Sequence, residues 1–189
     1  VEFRTDPEGY LPYGRNEDFA RDWVRPGTPG LEHRVGGLEK ANGTGNVSFD
    51  RKNHQRMTEL RDAKIAAIAD DLPPVVPYGP SSGELLVLGW GSTFGSIRAA
   101  VTNAQLDGVS VAHLHLRHIN PFPKNLGDVL NAYERVLVPE LNTGQLVELL
   151  RAEFLLDLLR YNKVEGAPFR VDEIREKITE LTSSNEAPE

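Results

Sequence analysis

The sequence contains no cysteine and no long apolar run, and both absences narrow its possible functions. Without cysteine, the chain can form no disulfide, thiolate zinc site, cysteine nucleophile or cysteine-held iron–sulfur cluster. No apolar segment approaches the roughly 20 residues of a membrane-spanning helix. The given sequence also shows no basic-then-apolar secretory leader. We therefore expect a cytoplasmic protein.

The chain also lacks an excess of positive charge. Its 21 basic and 28 acidic residues give a net charge of −7. Nucleic acids and anionic membranes bind basic surfaces, so neither is an expected partner. A length of 189 residues corresponds to one domain, or to one domain with an extension, and suffices to bury a core.

Residues 1–49 are rich in turn formers and show little periodicity. Such a long irregular stretch is unusual inside a compact domain, and it suggests a segment that wraps over another domain or subunit. The alternative is disorder. Five aromatic residues argue against disorder, because disordered segments contain few aromatics; they are Phe3, Tyr10, Tyr13, Phe19 and Trp23.

A helix is expected from about residue 53 to 70, with Met57, Leu60, Ile65 and Ile68 near one face. Asp50 or Ser48 is the expected N-cap. Residues 73–83 contain four prolines and two glycines and are predicted to be a linker.

Residues 84–181 alternate between apolar strands and helices. The expected strands are 84–90, 109–116, 135–141 and 161–164, and the expected helices are 93–106, 125–133, 142–159 and 171–181. Ser92 or Thr93, Asn125, and Asn142 or Thr143 are the expected caps of the first three helices. Near-continuous apolar strands alternating with helices predict a parallel α/β sheet covered on both faces. Residues 182–189 are expected to be a polar tail.

A glycine-rich turn at residues 89–95 (GWGSTFG) joins the first strand to a helix. Such turns can hold phosphate, because free N–H groups and the helix dipole favour an anion. The spacing matches neither a dinucleotide fingerprint nor a P-loop, and the turn contains no cation. Ser92 also lies outside a Gly-x-Ser-x-Gly elbow. We favour a tight turn, with anion binding as the alternative.

His113, His115 and His118 follow one another closely on and after the second strand. His113 and His115 should share one face of that strand. No Asp or Glu lies within this cluster, so packing or interface histidines are favoured over a metal site. In either case we expect them to titrate near neutral pH.

The sequence Asn142-Thr143-Gly144-Gln145 begins a helix at the carboxyl end of a strand, where open α/β sheets bind ligands. Helix capping alone explains the presence of Asn142 or Thr143 at this position. The Gln145 amide is the only feature here that hints at ligand binding. The residues by themselves therefore predict no self-sufficient active site.

Six sequence blocks, taken together in their order and spacing, match the pattern of a known protein family. They are residues 25–33 (RPGTPGLEH), Asn53-His54 with Met57, Arg61 and Lys64, residues 86–93 (LVLGWGST), 120–123 (NPFP), 138–146 (VPELNTGQL) and 163–169 (KVEGAPF). Together they resemble the C-terminal part of the α subunit of 2-oxoacid:ferredoxin oxidoreductases, in particular the 2-oxoglutarate type. The resemblance covers nearly the whole chain.

The resemblance implies a fold and a parent enzyme. Residues 81–189 resemble a transketolase C-terminal-like domain, and residues 1–80 resemble the end of the thiamin-pyrimidine domain with its connector. Enzymes of this family decarboxylate a 2-oxoacid on thiamin diphosphate, pass electrons through an iron–sulfur cluster to ferredoxin and form an acyl-CoA.

The chain lacks several segments and motifs that are typical of this family. The family's α subunit is several times longer. The pyrimidine-binding segment, the activating glutamate and the cluster cysteines are absent here, and the β subunit's Gly-Asp-Gly-type motif for diphosphate and Mg²⁺ is absent too. The chain thus resembles a fragment: a proteolytic product, a split gene product or a recombinant piece.

We accordingly assign no catalytic, cofactor-binding or metal-binding residue to this chain, and we expect it to be inactive alone. The resemblance implies a structural and assembly role, with the remainder of the α subunit and the β subunit as partners and ferredoxin as the acceptor of the full enzyme. Thiamin diphosphate, Mg²⁺ and an iron–sulfur cluster are expected in that full complex. The alternatives are a free-standing interaction or regulatory module, or a small anion-binding protein.

Overall fold

A computed structural model of the chain describes residues 1–183. The chain divides into two compact units, Val1–Asp71 and Leu72–Glu189. The last six residues of the predicted polar tail, 184–189, lie outside the described residues, whereas 182 and 183 belong to the final helix. The assignment of residues 1–80 to a preceding domain concerns the parent subunit and stays a prediction.

The first unit is mostly irregular, as predicted. Isolated backbone bridges join Phe3 to Trp23, Tyr13 to Gly43 and Lys40 to Val47. These bridges hold turns together without building a sheet, so this unit owes its order mainly to local hydrogen bonds.

Helix α1, Arg51–Ala67, ends the first unit and is followed by a 3₁₀ turn at Ile68–Asp70. The side chain of Asp50 caps α1 by accepting a hydrogen bond from the N–H of Asn53 at 2.7 Å. This confirms the predicted helix and Asp50 as its cap. Of the apolar residues predicted to share one face, only Met57 is buried.

The stretch predicted to be a linker, residues 73–83, is tied to the second unit. The Asn125 side chain makes two hydrogen bonds of 2.9 Å with the backbone of Val75. Tyr78 forms an antiparallel bridge with His113. The prediction that Asn125 caps the next helix by its side chain is wrong, because that amide is used to bind Val75 instead.

The second unit alternates strands and helices as predicted. Its elements are β1 Gly83–Trp90, α2 Phe94–Leu106, β2 Val111–Leu116, α3 Leu126–Asn131, β3 Tyr133–Glu140, α4 Gln145–Phe154, β4 Leu159–Asn162 and α5 Val171–Ser183. The four strands form one sheet in the order β2-β1-β3-β4. All three pairings are parallel, which confirms the predicted parallel α/β fold.

Helices cover both faces of this sheet, since alternate strand residues point to opposite sides. On one face, Leu86 and Leu88 of β1 pack in a cluster with side chains of α3 and α4. On the other face, Leu85 and Val87 pack with side chains of α2 and α5. The core therefore consists of two apolar layers separated by the sheet.

Helix α4 is shorter than the sequence suggests. It was expected to reach about residue 159, but it ends at Phe154, and Leu155 takes a left-handed conformation with φ of 55°. The chain then returns to the sheet, where Leu158 is fully buried and Leu159 pairs with Leu137. Strand β4 consequently starts two residues earlier than predicted, because sheet pairing overrides the helical periodicity of this apolar run.

Candidate functional site

Two turns lie at the carboxyl ends of neighbouring strands, where open α/β sheets bind ligands. One follows β1 at Gly91–Thr93 and leads into α2. The other follows β3 at residues 141–144 and leads into α4. The structure thus brings the two helix starts considered from the sequence to the same edge of the sheet.

The turn after β1 is closed by its own side chains. The hydroxyl of Thr93 donates to the carbonyl of Trp90 at 2.8 Å and accepts from its N–H at 3.2 Å. A Cβ added at Gly89 would lie 2.4 Å from Ile97 Cδ1 and 2.8 Å from Thr93 Oγ1. The glycine at position 89 is therefore explained by close packing, and Gly91 by its φ of 58°. This geometry favours the tight turn over the anion site. Thr93 occupies the predicted N-cap position of α2, but its side chain makes no capping hydrogen bond to that helix.

The turn after β3 is held by Asn142. Its side-chain oxygen accepts from the N–H groups of Gly144 at 2.7 Å and Gln145 at 3.0 Å. Gly144 has a φ of 99°, which favours glycine. Of the two predicted capping residues, Asn142 is the one that binds the start of the helix, whereas Thr143 and Gln145 are exposed.

Glu140, at the end of β3, is the residue that sequence reasoning missed. It is fully buried, and its carboxylate accepts hydrogen bonds from the backbone N–H groups of Leu146 and Val147 at 2.9 and 3.0 Å. The Asn142 amide donates to it at 2.9 Å and the Trp90 indole at 3.4 Å. The signal in the sequence was an acidic residue ending an apolar strand directly before a helix.

This carboxylate occupies the position that a bound anion would need. The start of α4 offers free N–H groups and the positive end of the helix dipole. Glu140 satisfies two of these N–H groups from inside the protein. The arrangement therefore stabilises the fold at the sheet edge and leaves the start of α4 no open anion site.

His113 and His115 lie on the same side of β2, as predicted, with ring centroids 6.0 Å apart. Both rings contact Phe94 of α2, at centroid distances of 5.6 and 5.0 Å. His113 is buried, and its Nδ1 accepts a hydrogen bond from Arg98 Nε at 3.0 Å. His118 lies beyond the strand and is exposed. The two strand histidines thus pack against a helix, in line with the favoured interpretation.

The expected titration near neutral pH is wrong for His113. Burial, together with Arg98 and His115, lowers the pKa of His113 to about 3. Burial also lowers the pKa of His115, with Arg117 and Arg98 acting in the same direction. In both rings the shift favours the neutral form, because protonation would put a positive charge into a desolvated environment beside Arg98.

The first unit contains a cavity of about 470 Å³ that sequence reasoning did not predict. Trp23, Arg25, Leu31, His33 and Lys64 are among the residues that line it. His33 Nδ1 is 3.1 Å from the Tyr10 hydroxyl and 2.9 Å from the Leu31 carbonyl oxygen, so that ring nitrogen is already engaged. Apolar walls with cationic side chains are typical of a contact surface.

The described residues do not fit the cofactors that the family resemblance implies. The sequence offers no cysteine for an iron–sulfur cluster. Within residues 1–183, no three His, Asp or Glu side chains are grouped so that they could hold a metal ion. At the start of α4, the N–H groups that would suit a diphosphate are already bound by Glu140. The location of these cofactors on other polypeptides stays a prediction.

Comparison with known proteins agrees with the fold and with the resemblance seen in the sequence. Residues 83–174 match the sequence model of "Pyruvate:ferredoxin oxidoreductase core domain II". The 2-oxoglutarate oxidoreductase subunit KorA of Mycobacterium tuberculosis is 49% identical over 174 residues, covering 91% of this chain and 26% of that protein. The 2-oxoacid:ferredoxin oxidoreductase subunit alpha of Saccharolobus solfataricus is 28% identical over 148 residues, covering 75% of this chain and 23% of that protein.

A solved structure is similar in three dimensions. It is the 2-oxoglutarate:ferredoxin oxidoreductase from Magnetococcus marinus with 2-oxoglutarate, coenzyme A and succinyl-CoA bound. The TM-score is 0.85 at 27% identity, covering 92% of this chain and 31% of that chain. This chain therefore spans about a quarter to a third of the length of these three proteins.

The four strands of the parallel sheet all lie within the residues that match this core-domain model. Over most of its length the chain is similar to 2-oxoacid:ferredoxin oxidoreductase α subunits, as the six sequence blocks indicated. The relatives are named as subunits, which implies assembly with other polypeptides. None of the helices in residues 1–183 has the length and apolar character needed to cross a membrane.

Proposed function

We propose that this chain is the C-terminal structural and assembly portion of the α subunit of a thiamin diphosphate-dependent 2-oxoglutarate:ferredoxin oxidoreductase. The 49% identity with the M. tuberculosis KorA subunit over 91% of this chain carries the proposal. The complete enzyme oxidatively decarboxylates 2-oxoglutarate, forms an acyl-CoA and delivers the electrons to ferredoxin. Its site of action is the cytoplasm.

The geometry of the second unit supports a role in assembly. At the ligand-binding edge of the sheet, Glu140 occupies the start of α4, and the Thr93 hydroxyl tightens the turn after β1 by bonding Trp90. We therefore place thiamin diphosphate, Mg²⁺ and the iron–sulfur cluster on the remainder of the α subunit and on the β subunit. This chain supplies no catalytic, cofactor-binding or metal-binding residue in the proposal, and it binds neither nucleic acid nor membrane.

The choice of 2-oxoglutarate over other 2-oxoacids rests on the relatives. The KorA relative, named for 2-oxoglutarate, shares 49% of its aligned residues with this chain. The S. solfataricus relative, named more broadly for 2-oxoacids, shares 28%. Identity at this level favours the 2-oxoglutarate type for the parent enzyme.

Native mass spectrometry of the protein as purified tests the assembly role. We expect a complex that holds this chain with larger α-derived polypeptides and a β polypeptide. A lone 21.0 kDa species, or only its homo-oligomer, would contradict the proposal and support a free-standing interaction module.

A second measurement tests the absence of catalysis. The isolated chain should give no heat of binding with thiamin diphosphate in isothermal titration and no turnover of 2-oxoglutarate. The assembled enzyme serves as the positive control in both assays. Turnover by the pure chain would overturn the proposed division of labour.

A further inference from the structure

An exposed patch on the second unit consists of Tyr78, Phe94 and Arg98. The guanidinium carbon of Arg98 lies 3.8 Å from the centroid of the Tyr78 ring and 5.3 Å from that of Phe94. Tyr78 is 39% exposed and Phe94 is 45% exposed. The patch therefore presents a cation between two aromatic rings at the surface.

Contacts with His113 and His115 of β2 hold the side chains of this aromatic–arginine patch in place. His113 accepts a hydrogen bond from Arg98 Nε at 3.0 Å, and the backbone of His113 makes two hydrogen bonds with that of Tyr78, at 2.8 and 2.9 Å. Phe94 packs against both His113 and His115. Side chains held in this way lose little conformational entropy when a partner binds.

Arg98 still has unused donors. Only its Nε donates to a side chain, and the structure of residues 1–183 shows no hydrogen bond or ion pair for Nη1 or Nη2. The pair of Nη groups matches a carboxylate in a two-pronged geometry. The patch thus offers a preformed but unfilled anion-recognition group.

The local charge favours an acidic partner. The strongest charged influences on His113 and His115 come from Arg98 and Arg117, both of which are cationic. The whole chain carries a net charge of −7, so two arginines near the same histidine are a local excess of positive charge. Tyr and Arg are also the residue types that concentrate binding energy at protein interfaces.

We propose that the aromatic–arginine patch is a docking surface for a carboxylate-bearing segment of another polypeptide region of the enzyme. This inference rests on the proposed assembly function. The chain spans only 26% of the length of its M. tuberculosis relative, so most of the protein that could supply this segment lies outside it. The carboxylate binds Arg98 Nη1 and Nη2, and the neighbouring segment packs on Tyr78 and Phe94.

Photo-crosslinking in the intact enzyme tests this directly. The photoreactive residue p-benzoylphenylalanine replaces Phe94, a site where bulk is tolerated because the ring is half exposed. We expect a crosslink to a peptide, from outside residues 1–189, that contains Asp or Glu. The matched control carries the same residue at Leu106, at the other end of α2, where 81% of the side chain is exposed. This control should give no such crosslink. Absence of a crosslink at 94 in an assembled enzyme would overturn the docking surface and leave the proposed function intact.

Charge variants give a second readout. By native mass spectrometry, Arg98→Ala should raise the dissociation constant of the complex at least about tenfold, since truncating one partner of an enclosed charge pair is costly. Arg98→Lys should weaken the complex less than Arg98→Ala does, because lysine keeps the positive charge but lacks the paired Nη donors of the guanidinium. Arg175→Ala removes an exposed arginine of α5, which pairs with Asp107 at 2.5 Å, and should leave the complex unchanged. Equal behaviour of the Arg98 and Arg175 variants would contradict the inference.

Two other results distinguish a failure of the docking inference from a failure of the proposed function. If inorganic phosphate binds the wild-type enzyme but not Arg98→Ala, and Phe94 gives no crosslink, the patch holds a phosphate group and the docking segment is refuted. If the wild-type chain joins no complex at all, both the patch inference and the proposed function fail. Because the crosslink needs no change at Arg98, it stands even if the Arg98 variants fold poorly.

Discussion

The two units of the chain differ in how much apolar surface they bury. In Val1–Asp71 the buried apolar side chains of the described structure are Tyr13, Leu31 and Met57. All the others belong to the second unit, where they form one layer on each face of the sheet. Apolar burial is the main favourable contribution to folding, so the second unit carries most of the stability.

The first unit is held by local polar contacts. Arg4 pairs with Asp22 at 3.0 Å, and Asn53 bonds the backbone of Lys40 and of Asn42 at 2.9 Å each. Large apolar side chains remain at its surface, with Trp23 62% exposed and Phe49 84% exposed. Trp23 lies edge-on to Phe3, which is 40% exposed, so these two rings form an exposed apolar patch of the kind that marks contact surfaces. The comparison teaches that the second unit has an apolar core of its own, whereas the first unit leaves large apolar side chains at its surface. This supports the prediction that the first unit wraps over a neighbouring domain or subunit.

Separating the two units should give the largest effect. Residues 72–189 alone should unfold cooperatively in urea, because both apolar layers lie within them. Residues 1–71 alone should show no cooperative transition and little amide protection, since three buried apolar side chains cannot offset the entropy of ordering the chain. Hydrogen exchange and circular dichroism measure both segments. Strong amide protection in the isolated 1–71 segment would break the comparison.

Two matched alanine substitutions, one in each unit, compare how much each unit depends on buried apolar side chains. Leu88→Ala removes a fully buried side chain and should lower the free energy of unfolding by about 2–5 kcal/mol. Ile68→Ala removes a side chain that is 41% exposed, after α1, and should change it by less than about 0.5 kcal/mol. Urea titrations of the full chain give both values. Equal losses would show that the first unit buries more apolar surface than the structure indicates.

Glu140 provides a test of the polar support in the second unit. Glu140→Gln replaces one acceptor oxygen by an NH₂ group that faces N–H donors, and it should cost about 1–3 kcal/mol of stability. The control, Glu148→Gln, lies on α4 and removes an exposed pair with Arg160 at 3.2 Å, which should cost less than about 1 kcal/mol. Thermal or urea unfolding compares the two variants. A neutral Glu140→Gln would mean that the start of α4 does not depend on this carboxylate.

The smallest expected effect is a pH dependence from His113. Its pKa is about 3 in the folded protein, because of burial with Arg98 and His115 nearby, and about 6.5 in an unfolded chain. The unfolded state therefore takes up the proton first. The contribution of His113 to stability is complete above about pH 6.5 and is lost progressively as the pH falls towards 3.

Between about pH 7.5 and about pH 5.5, this single group should lower the free energy of unfolding by about 1.4 kcal/mol. His113→Gln should be less sensitive to pH over the same range, because glutamine does not titrate and can still accept a hydrogen bond from Arg98. Urea unfolding at the two pH values measures the difference. The same pH dependence in wild type and variant would show that His113 does not control it.

Most of the second unit could be predicted from the sequence. The apolar runs at residues 84–90 and 135–141 became buried parallel strands, and the helices between them formed as expected. Local signals suffice here, because strand and helix periodicities are encoded by neighbouring residues. Asp50 likewise caps the helix that immediately follows it.

The errors fall where distant residues meet. Asn125 is at the N-cap position of α3, but its side chain binds Val75, fifty positions earlier, and makes no capping hydrogen bond. Helix α4 stops at Phe154 because Leu159 pairs with β3. No local pattern contains these two pairings. Glu140 is a different case, because its partners Leu146 and Val147 lie only six and seven positions later and the acidic residue before the helix was a local signal.

The sequence by itself determined the fold class, the alternation of strands and helices, the irregular character of the first unit and the exclusion of cysteine chemistry. Each of these follows from composition or from short-range periodicity. The tertiary structure alone decided which polar groups are satisfied, that Glu140 fills the anion position at α4 and that Arg98 stands between Tyr78 and Phe94. Those outcomes depend on which distant residues are packed together, because a buried hydrogen bond or charge is set by its surroundings in space.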